Sequence, residues 1–358
     1  MLLSIKTKLK LNANQKIIMA KHAGIARFTY NWGLAAWLSL RNDGLKPNKY
    51  ILKKFFNNHV KLEYSWIKEP GICQKVTQYA FDNLGKAFDR YFKGLGEKPK
   101  FKKKGKHDSF TIDASGKPIY VGGTSIKLPT IGWVNTYEGL PHTTCKAITI
   151  SREADDWFIS FSYEQQHEPT QKQHELVGVD LGVKVLATLS TGVVFPNPKH
   201  YKKSLSKLKR LSRQLSRKQK GSNNRQKAKN KLAKHHAKVA NLRKDNLHKI
   251  TTYLCKNHAK VVVEDLNISG MLKNEKLAQT IADCGFYEFR RQLEYKSQKF
   301  GCEIIIADRW YPSTKTCSSC GHQQQMSLSD RVFNCEKCGY SIDRDLNAAI
   351  NLSRLAKA

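Results

Sequence analysis

Acidic residues are scarce in this sequence: 29 Asp and Glu stand against 63 Lys and Arg, a formal net charge of +34 at pH 7 over 358 residues. The shortage is sharpest mid-chain, where no carboxylate occurs between Asp180 and Asp245. Self-repulsion on this scale does not suit an ordinary metabolic enzyme. It calls for a polyanionic partner, with nucleic acid the first candidate and an anionic membrane surface its rival. Long apolar runs are missing too. No stretch of 18 or more apolar residues and no secretory signal is seen, so a soluble, intracellular protein is expected, with no membrane partner. The nine cysteines agree with a reducing compartment. Of nine cysteines, Cys73, Cys145, Cys255, Cys284 and Cys302 are scattered and read as buried thiols of a reducing compartment.

What is present divides the chain by texture. A short basic strand over residues 2–9 is followed by Asn12 and Gln15, a capping box opening a helix over about 13–40. Further helix is expected at 51–60 and 73–92, with the aromatics as helical core. A basic loop, 98–106, then leads into strands at 109–112, 119–121, 125–128, 147–151 and 157–163, a small β-barrel or sandwich. Residues 152–156 between the last two have the composition of a hairpin turn. The first strand has no local partner, so it is expected to join this β unit, with the helices as an insertion. The polar stretch 165–173, with Pro169, reads as a linker.

The acid-free region reads as an αα-hairpin. Leu205, Leu208, Leu211 and Leu215 recur at helical spacing, Gly221-Ser222-Asn223-Asn224 interrupts, and a second helix resumes through Leu232, Val239, Leu242 and Ile250. A merely solvated helix mixes charge signs; this one does not, which points to phosphate contacts. The candidates are Lys202, Lys203, Lys209, Arg210, Arg213 and Arg217 on the hairpin, with Lys98, Lys100, Lys102, Lys103 and Lys104 on the earlier loop.

Two sets of residues carry chemistry. Cys317 and Cys320, then Cys335 and Cys338, form two CxxC pairs, each followed by glycine, a pattern suited to a closed four-thiolate structural zinc site. The second set is carboxylate. Asp180 ends an apolar strand-like run, Glu264-Asp265 ends another, and Asp343-Arg344-Asp345 opens a helical segment. Each acid alone reads as a turn or cap residue; together they suit a divalent-metal site. Neighbouring strand residues face opposite ways, so only one of Glu264 and Asp265 can join Asp180, and the pattern does not say which. Converging carboxylates need a cation, and two Mg2+ ions about 4 Å apart would suit phosphodiester hydrolysis. The element order predicts a mixed sheet flanked by helices.

Four segments carry a resemblance. Gly178-Val179-Asp180-Leu181-Gly182, Val263-Glu264-Asp265-Leu266-Asn267, the run from Tyr311 through Cys317-Ser318-Ser319-Cys320-Gly321, and Asp343-Arg344-Asp345-Leu346-Asn347-Ala348-Ala349 occur in the order seen in the TnpB (OrfB) family. These are transposon-encoded RNA-guided nucleases related to type V CRISPR effectors. The resemblance implies a multidomain α+β protein: a wedge-like β-barrel (1–10 and 96–168), a helical recognition domain (11–95), a RuvC-like, RNase H-type mixed α/β nuclease domain (174–310 and 341–358) and an inserted zinc ribbon (311–340). It implies catalytic, magnesium-binding acids at Asp180, Glu264 and Asp345, choosing Glu264 over Asp265 and Asp345 over Asp343. It further implies Mg2+ and structural Zn2+ as cofactors. Its partners would be a guide RNA from the transposon end and double-stranded target DNA, with no protein partner, in a prokaryotic cytoplasm beside the nucleoid. A strand-transfer transposase with the same acids, and a zinc-ribbon DNA-binding regulator, are the alternative readings.

Overall fold

The computed structural model describes residues 2–166, 169–327 and 329–356. The chain forms two compact units, one over Leu2–Gln165 and one from Gln166 onward.

The first unit combines a sheet with inserted helices. Strand β1 (Leu2–Lys10) leads into α1 (Ala13–Asn42), α2 (Lys49–Phe55), a π-type turn (Phe56–Val60), α3 (Lys61–Glu63), a 3-10 turn (Ser65–Lys68) and α4 (Lys75–Phe92). The start of α1 is a capping box: Gln15 N–H donates to Asn12 Oδ1 at 2.8 Å and Asn12 N–H to Gln15 Oε1 at 3.0 Å. The aromatics form the helical core, with Trp37 stacked on Phe88 and Phe56 and Phe81 fully buried. After the loop come β2 (Ser109–Asp113), β3 (Ile119–Leu128), β4 (Gly132–Cys145), β5 (Ala147–Glu153) and β6 (Asp156–Glu164). The antiparallel order is β2-β5-β6-β1-β4-β3, so β1 sits inside the sheet although four helices separate it from β2. No hydrogen-bonded pair joins β2 to β3 among the described residues; backbone pairing does not close the expected barrel.

Two details depart from the sequence reading. The pieces at 119–121 and 125–128 are one strand, and the 14-residue β4 beside it was not expected. Pro141 and Gly139 hide β4 in the sequence. The structure accommodates them where the β3–β4 register shifts around Gly123, the kind of place a strand tolerates a residue without N–H. The β5–β6 turn has Ala154 and Asp155 at φ 48° and 80°, matching the twist of the strands it joins.

The second unit holds β7 (His174–Leu181), β8 (Val185–Leu189), β9 (Val194–Pro196), α5 (His200–Ser216), α6 (Asn223–Asn257), β10 (His258–Glu264), α7 (Ile268–Met271), α8 (Ala278–Cys284), α9 (Phe286–Phe300), β11 (Glu303–Ala307), β12 (Val332–Asn334), β13 (Ser341–Asp343) and α10 (Arg344–Arg354). Its mixed sheet runs β11-β10-β7-β8-β9, parallel across the first three strands and antiparallel beyond. Part of the linker stretch falls on His167 and Glu168, outside the described residues. The rest is pinned: Lys172 Nζ donates to Cys255 O at 2.7 Å and Phe300 O at 2.6 Å.

The two sheet faces bury different partners. Val177, Val179, Val261 and Val263 pack with Leu247, Leu254, Phe289 and Leu293 of α6 and α9. Val262 packs on the other face with Leu352 of α10. Strand alternation therefore assigns even-numbered residues of β7 and β10 to the α10 side. Gly178 is one of them, and α10 comes so close that a Cβ there would meet Ala349 O at 2.0 Å and Ser353 N at 2.5 Å. Both are backbone atoms, so nothing cheap can yield. Gly178→Ala should push α10 off the sheet at a cost of at least about 3 kcal/mol, the upper end for an overpacked core. A thermal melt unchanged from the parent protein would refute this.

Candidate metal centres and nucleic-acid interface

The alternation that buries α10 also orients the acids. In the β7–β10 pairing Val179 lies opposite Val263, so Asp180 and Glu264 are the next residues on adjacent parallel strands, both on the α10 side. Such a position, outside the carboxyl ends of parallel strands, is where open α/β sheets hold ligands. Asp265 faces away and is taken by Arg290 (2.7 Å) and Arg309 (2.6 Å), which hold its carboxyl below the usual range. The structure thereby separates two neighbours that sequence periodicity left equivalent.

The third locus separates in the same way. Asp343 caps α10: its Oδ1 accepts from the N–H groups of Asp345 and Leu346, both at 3.0 Å. Asp345 lies in the first turn, paired with Arg344 at 3.0 Å. Burial, then the charges of Glu264 and Asp345, push the Asp180 carboxyl up to about 8, with Arg344 opposing and Asp343 adding to the rise. Among the described residues, the three carboxylates do not converge within the 4.8 Å that gathers the cysteines. Glu264 is held by Ser313 and Asp345 by Arg344. The donor set is all hard oxygen and short of positive charge, and it fits magnesium.

The cysteine site is built from two matching turns. Cys317 N–H donates to His322 O at 2.8 Å and Gly321 N–H to Cys317 O at 2.9 Å; Cys335 with Tyr340 and Gly339 with Cys335 repeat both distances. Gly321 and Gly339 adopt φ 75° and 70°, the left-handed conformation that closes each turn. All four sulfurs lie within 4.8 Å of one another, with Cys317–Cys338 at 3.8 Å and Cys320–Cys335 at 3.6 Å. A tetrahedron with Zn–S bonds of about 2.3 Å has edges of about 3.8 Å. The sulfur cage fits zinc. His322 contributes its backbone carbonyl to the first turn.

The basic candidates fall into two places. On α5, Lys202, Lys203, Lys209, Arg210, Arg213 and Arg217 (the residue closing the helix) are exposed, and among the described residues none has a carboxylate within ion-pair distance. Leu208 and Leu211 take the opposite, buried face, and Arg225 of α6 clamps the turn by bonding Leu215 O and Lys218 O. On the loop, Lys98, Lys103 and Lys104 are exposed, and Lys100 pairs with Glu97. Lys102 differs. Its backbone exchanges two hydrogen bonds with the Asn31 side chain, its ammonium lies 4.2 Å from the Tyr30 ring centre, and burial lowers its pKa. That side chain belongs to the fold more than to the surface.

Residues 160–275 match the family profile OrfB_IS605, described as "Probable transposase". Residues 286–352 match the Cas12f1-like TNB domain, and 1–46 a helix-turn-helix profile of the same OrfB group, although the structure there has one strand and one 30-residue helix. An Escherichia coli K12 protein named "Putative RNA-guided DNA endonuclease InsQ" is 35% identical over 98% of this chain and 91% of its own length. The chain belongs to the TnpB (OrfB) family. A Streptomyces pristinaespiralis member named "Putative RNA-guided DNA endonuclease" is 37% identical over 77% of this chain and 69% of its own. The fold is shared with Cas12f1 as solved in a complex with guide RNA and target DNA (TM-score 0.61, 15% identity, 96% of this chain and 83% of that one). In this TnpB-family chain no helix among the described residues is long and apolar enough to cross a membrane.

Ser313, which bonds Glu264, and the two asparagines that bond the backbone of its segment escaped the sequence reading. Ser313, Asn347 and Asn351 lie inside the quoted motifs or next to them, yet had no role there. All three are buried. A polar residue inside an apolar helical stripe, as at Asn347 and Asn351, was the signal available.

Proposed function

We propose that this chain is an RNA-guided DNA endonuclease of a transposon, cutting guide-matched DNA beside a short flanking motif by metal-dependent phosphodiester hydrolysis. What supports the reading is that Asp180 and Glu264 follow paired residues on adjacent parallel strands, that the charge of α10-borne Asp345 acts on Asp180, and that relatives are named RNA-guided DNA endonucleases. In this reading Asp180, Glu264 and Asp345 hold the magnesium ions of a RuvC-like domain (174–310 and 341–358), and Cys317, Cys320, Cys335 and Cys338 hold structural zinc in a ribbon (311–340). Bound magnesium would supply an activated water and charge stabilisation at the leaving oxygen. The protein's part is to hold carboxylate oxygens at strand and helix ends; a bound cation would take the place of the Asp180 proton, which would leave to solvent. The exposed cations of α5 and of the 98–106 loop would track the phosphates of guide RNA and DNA. The six-stranded sheet would be the wedge-like domain and α1–α4 the recognition domain.

The guide explains the charge excess, and it gives the test. Protein purified from its host should carry one defined RNA, and replacing that RNA's guide segment should redirect cleavage with no change to the protein. RNA-free protein that cuts one fixed sequence, unaltered by added RNA, would overturn the reading. The matched profile's description, "Probable transposase", favours strand transfer as the second reading. Joined rather than free DNA ends among the products would select it.

A further inference from the structure

Ser313 lies between β11 and the first cysteine turn and is 3% exposed. Its hydroxyl donates to Glu264 Oε1 at 2.5 Å. Its own backbone is tied at both ends: its N–H donates to Tyr311 O at 2.8 Å, and its carbonyl accepts from Asn351 Nδ2, also at 2.8 Å. The same Asn351 amide donates to Thr316 O at 2.6 Å. One turn earlier on α10, Asn347 donates to Thr316 O at 2.7 Å and accepts from Ser318 N–H at 2.9 Å. Both asparagines are fully buried. They stand four apart on the helix that carries Asp345, hence on one face. Among the described residues Asn351 Oδ1 has no hydrogen-bond partner. A buried oxygen left so is costly, and a leucine would fill the place with no such cost. Packing alone does not account for the amide.

We propose that Ser313 is a positioning residue for Glu264, and that Asn351 and Asn347 set Ser313 against the acid-bearing helix, so that one polar seam fixes the relative places of Glu264 and Asp345. This rests on the reading of those acids as the metal site. The physical need is plain. A glutamate has three side-chain torsions, and nothing but a partner holds its carboxylate in one of them. A hydroxyl donating to one carboxylate oxygen holds the group in place and leaves the other oxygen free for a cation. Partners of this kind behind metal-binding carboxylates change metal affinity or activity by about 10–100-fold when removed. The seam ends on Thr316 and Ser318, which flank and enter the first cysteine turn, so the turn that would hold zinc also anchors Ser313.

The test uses the full chain with its copurified RNA. Mn2+ binding is followed by electron paramagnetic resonance, zinc content by atomic absorption, and cleavage as a function of Mg2+. Ser313→Ala should weaken Mn2+ binding and raise the Mg2+ needed for half-maximal cleavage by about 10–100-fold, with zinc and RNA unchanged. Ser313→Thr, which keeps the hydroxyl, should restore both, and Asn351→Leu should reproduce the alanine result. Unchanged Mn2+ affinity in Ser313→Ala overturns the proposal. So does a threonine variant as weak as alanine with zinc lost from both, because the role would then be packing. Glu264→Ala serves as the control. If it cuts like the parent, the acid-site reading itself fails; if it is inactive while Ser313→Ala is normal, only the role given to Ser313 fails.

Discussion

Asp180→Ala abolishes DNA cleavage while leaving guide RNA and target binding nearly intact. The carboxylate is one of three that would hold the metal ions, and losing a metal-held nucleophile removes several kcal/mol of transition-state stabilisation. A loss of about 4 kcal/mol alone is about a 10³-fold fall in rate. Binding survives because it is spread over many phosphate contacts, to which one acid contributes little. Glu264→Ala and Asp345→Ala share the outcome, and near-normal cutting by any of the three would remove that acid from the site. Stability gives a second readout. The folded, metal-free protein raises the Asp180 pKa from its ordinary value of 3.8 to about 8. Between those values the folded state binds more protons than the unfolded one, so stability falls as pH rises through that window. Asp180→Ala removes this dependence and should melt no lower than the parent at pH 8 without divalent ions. A variant that is inactive because it is unfolded would fail that check.

Cys335→Ser empties the sulfur cage and unfolds the ribbon around it. Four thiolates define the site, and binding free energies for structural zinc of about 10–16 kcal/mol in small modules leave no apolar core to replace it. The ribbon's own core is small: Cys317, Phe333 and Cys335, with Met326 and Ile342 against them. Zinc measured on the purified protein should fall from near one per chain to near zero. The damage should reach the acids, because β13 ends at Asp343, the cap of the helix that carries Asp345. Parent protein without zinc, or with a disulfide among these cysteines in reducing buffer, would contradict the assignment.

Much of this was legible because local chemistry is loud where it is specialised. The capping box at Asn12, the leucine stripe of α5 and the paired CxxC turns are short-range patterns, and short-range patterns survive in one dimension. β4 was not legible, because Pro141 and Gly139 mask a strand whose place is fixed by pairing with β1 and β3. Which of Glu264 and Asp265 joins Asp180 was also out of reach of periodicity. Val261, Val262 and Val263 are all buried, so the run has no polar face to orient it. Only the packing of α10 on one side and α6 with α9 on the other sets the direction. The seam of Ser313, Asn347 and Asn351 lay hidden for the same reason: its partners come from segments that meet only in the folded unit.

The bed that Gly178 provides for α10 has a consequence for synthesis. The helix that fills it follows all five strands of the sheet and the whole ribbon in chain order. A nascent chain that has emerged through β11 can pair its strands and present Asp180 and Glu264, but it has no third carboxylate and its bed is empty. Domains fold as they leave the ribosome at about 5–20 residues per second. For some seconds the half-made molecule therefore has a sheet with an exposed apolar face and an incomplete acid cluster. If the basic hairpin binds RNA and the acids hold metal as proposed, RNA could be gathered before the metal site is complete.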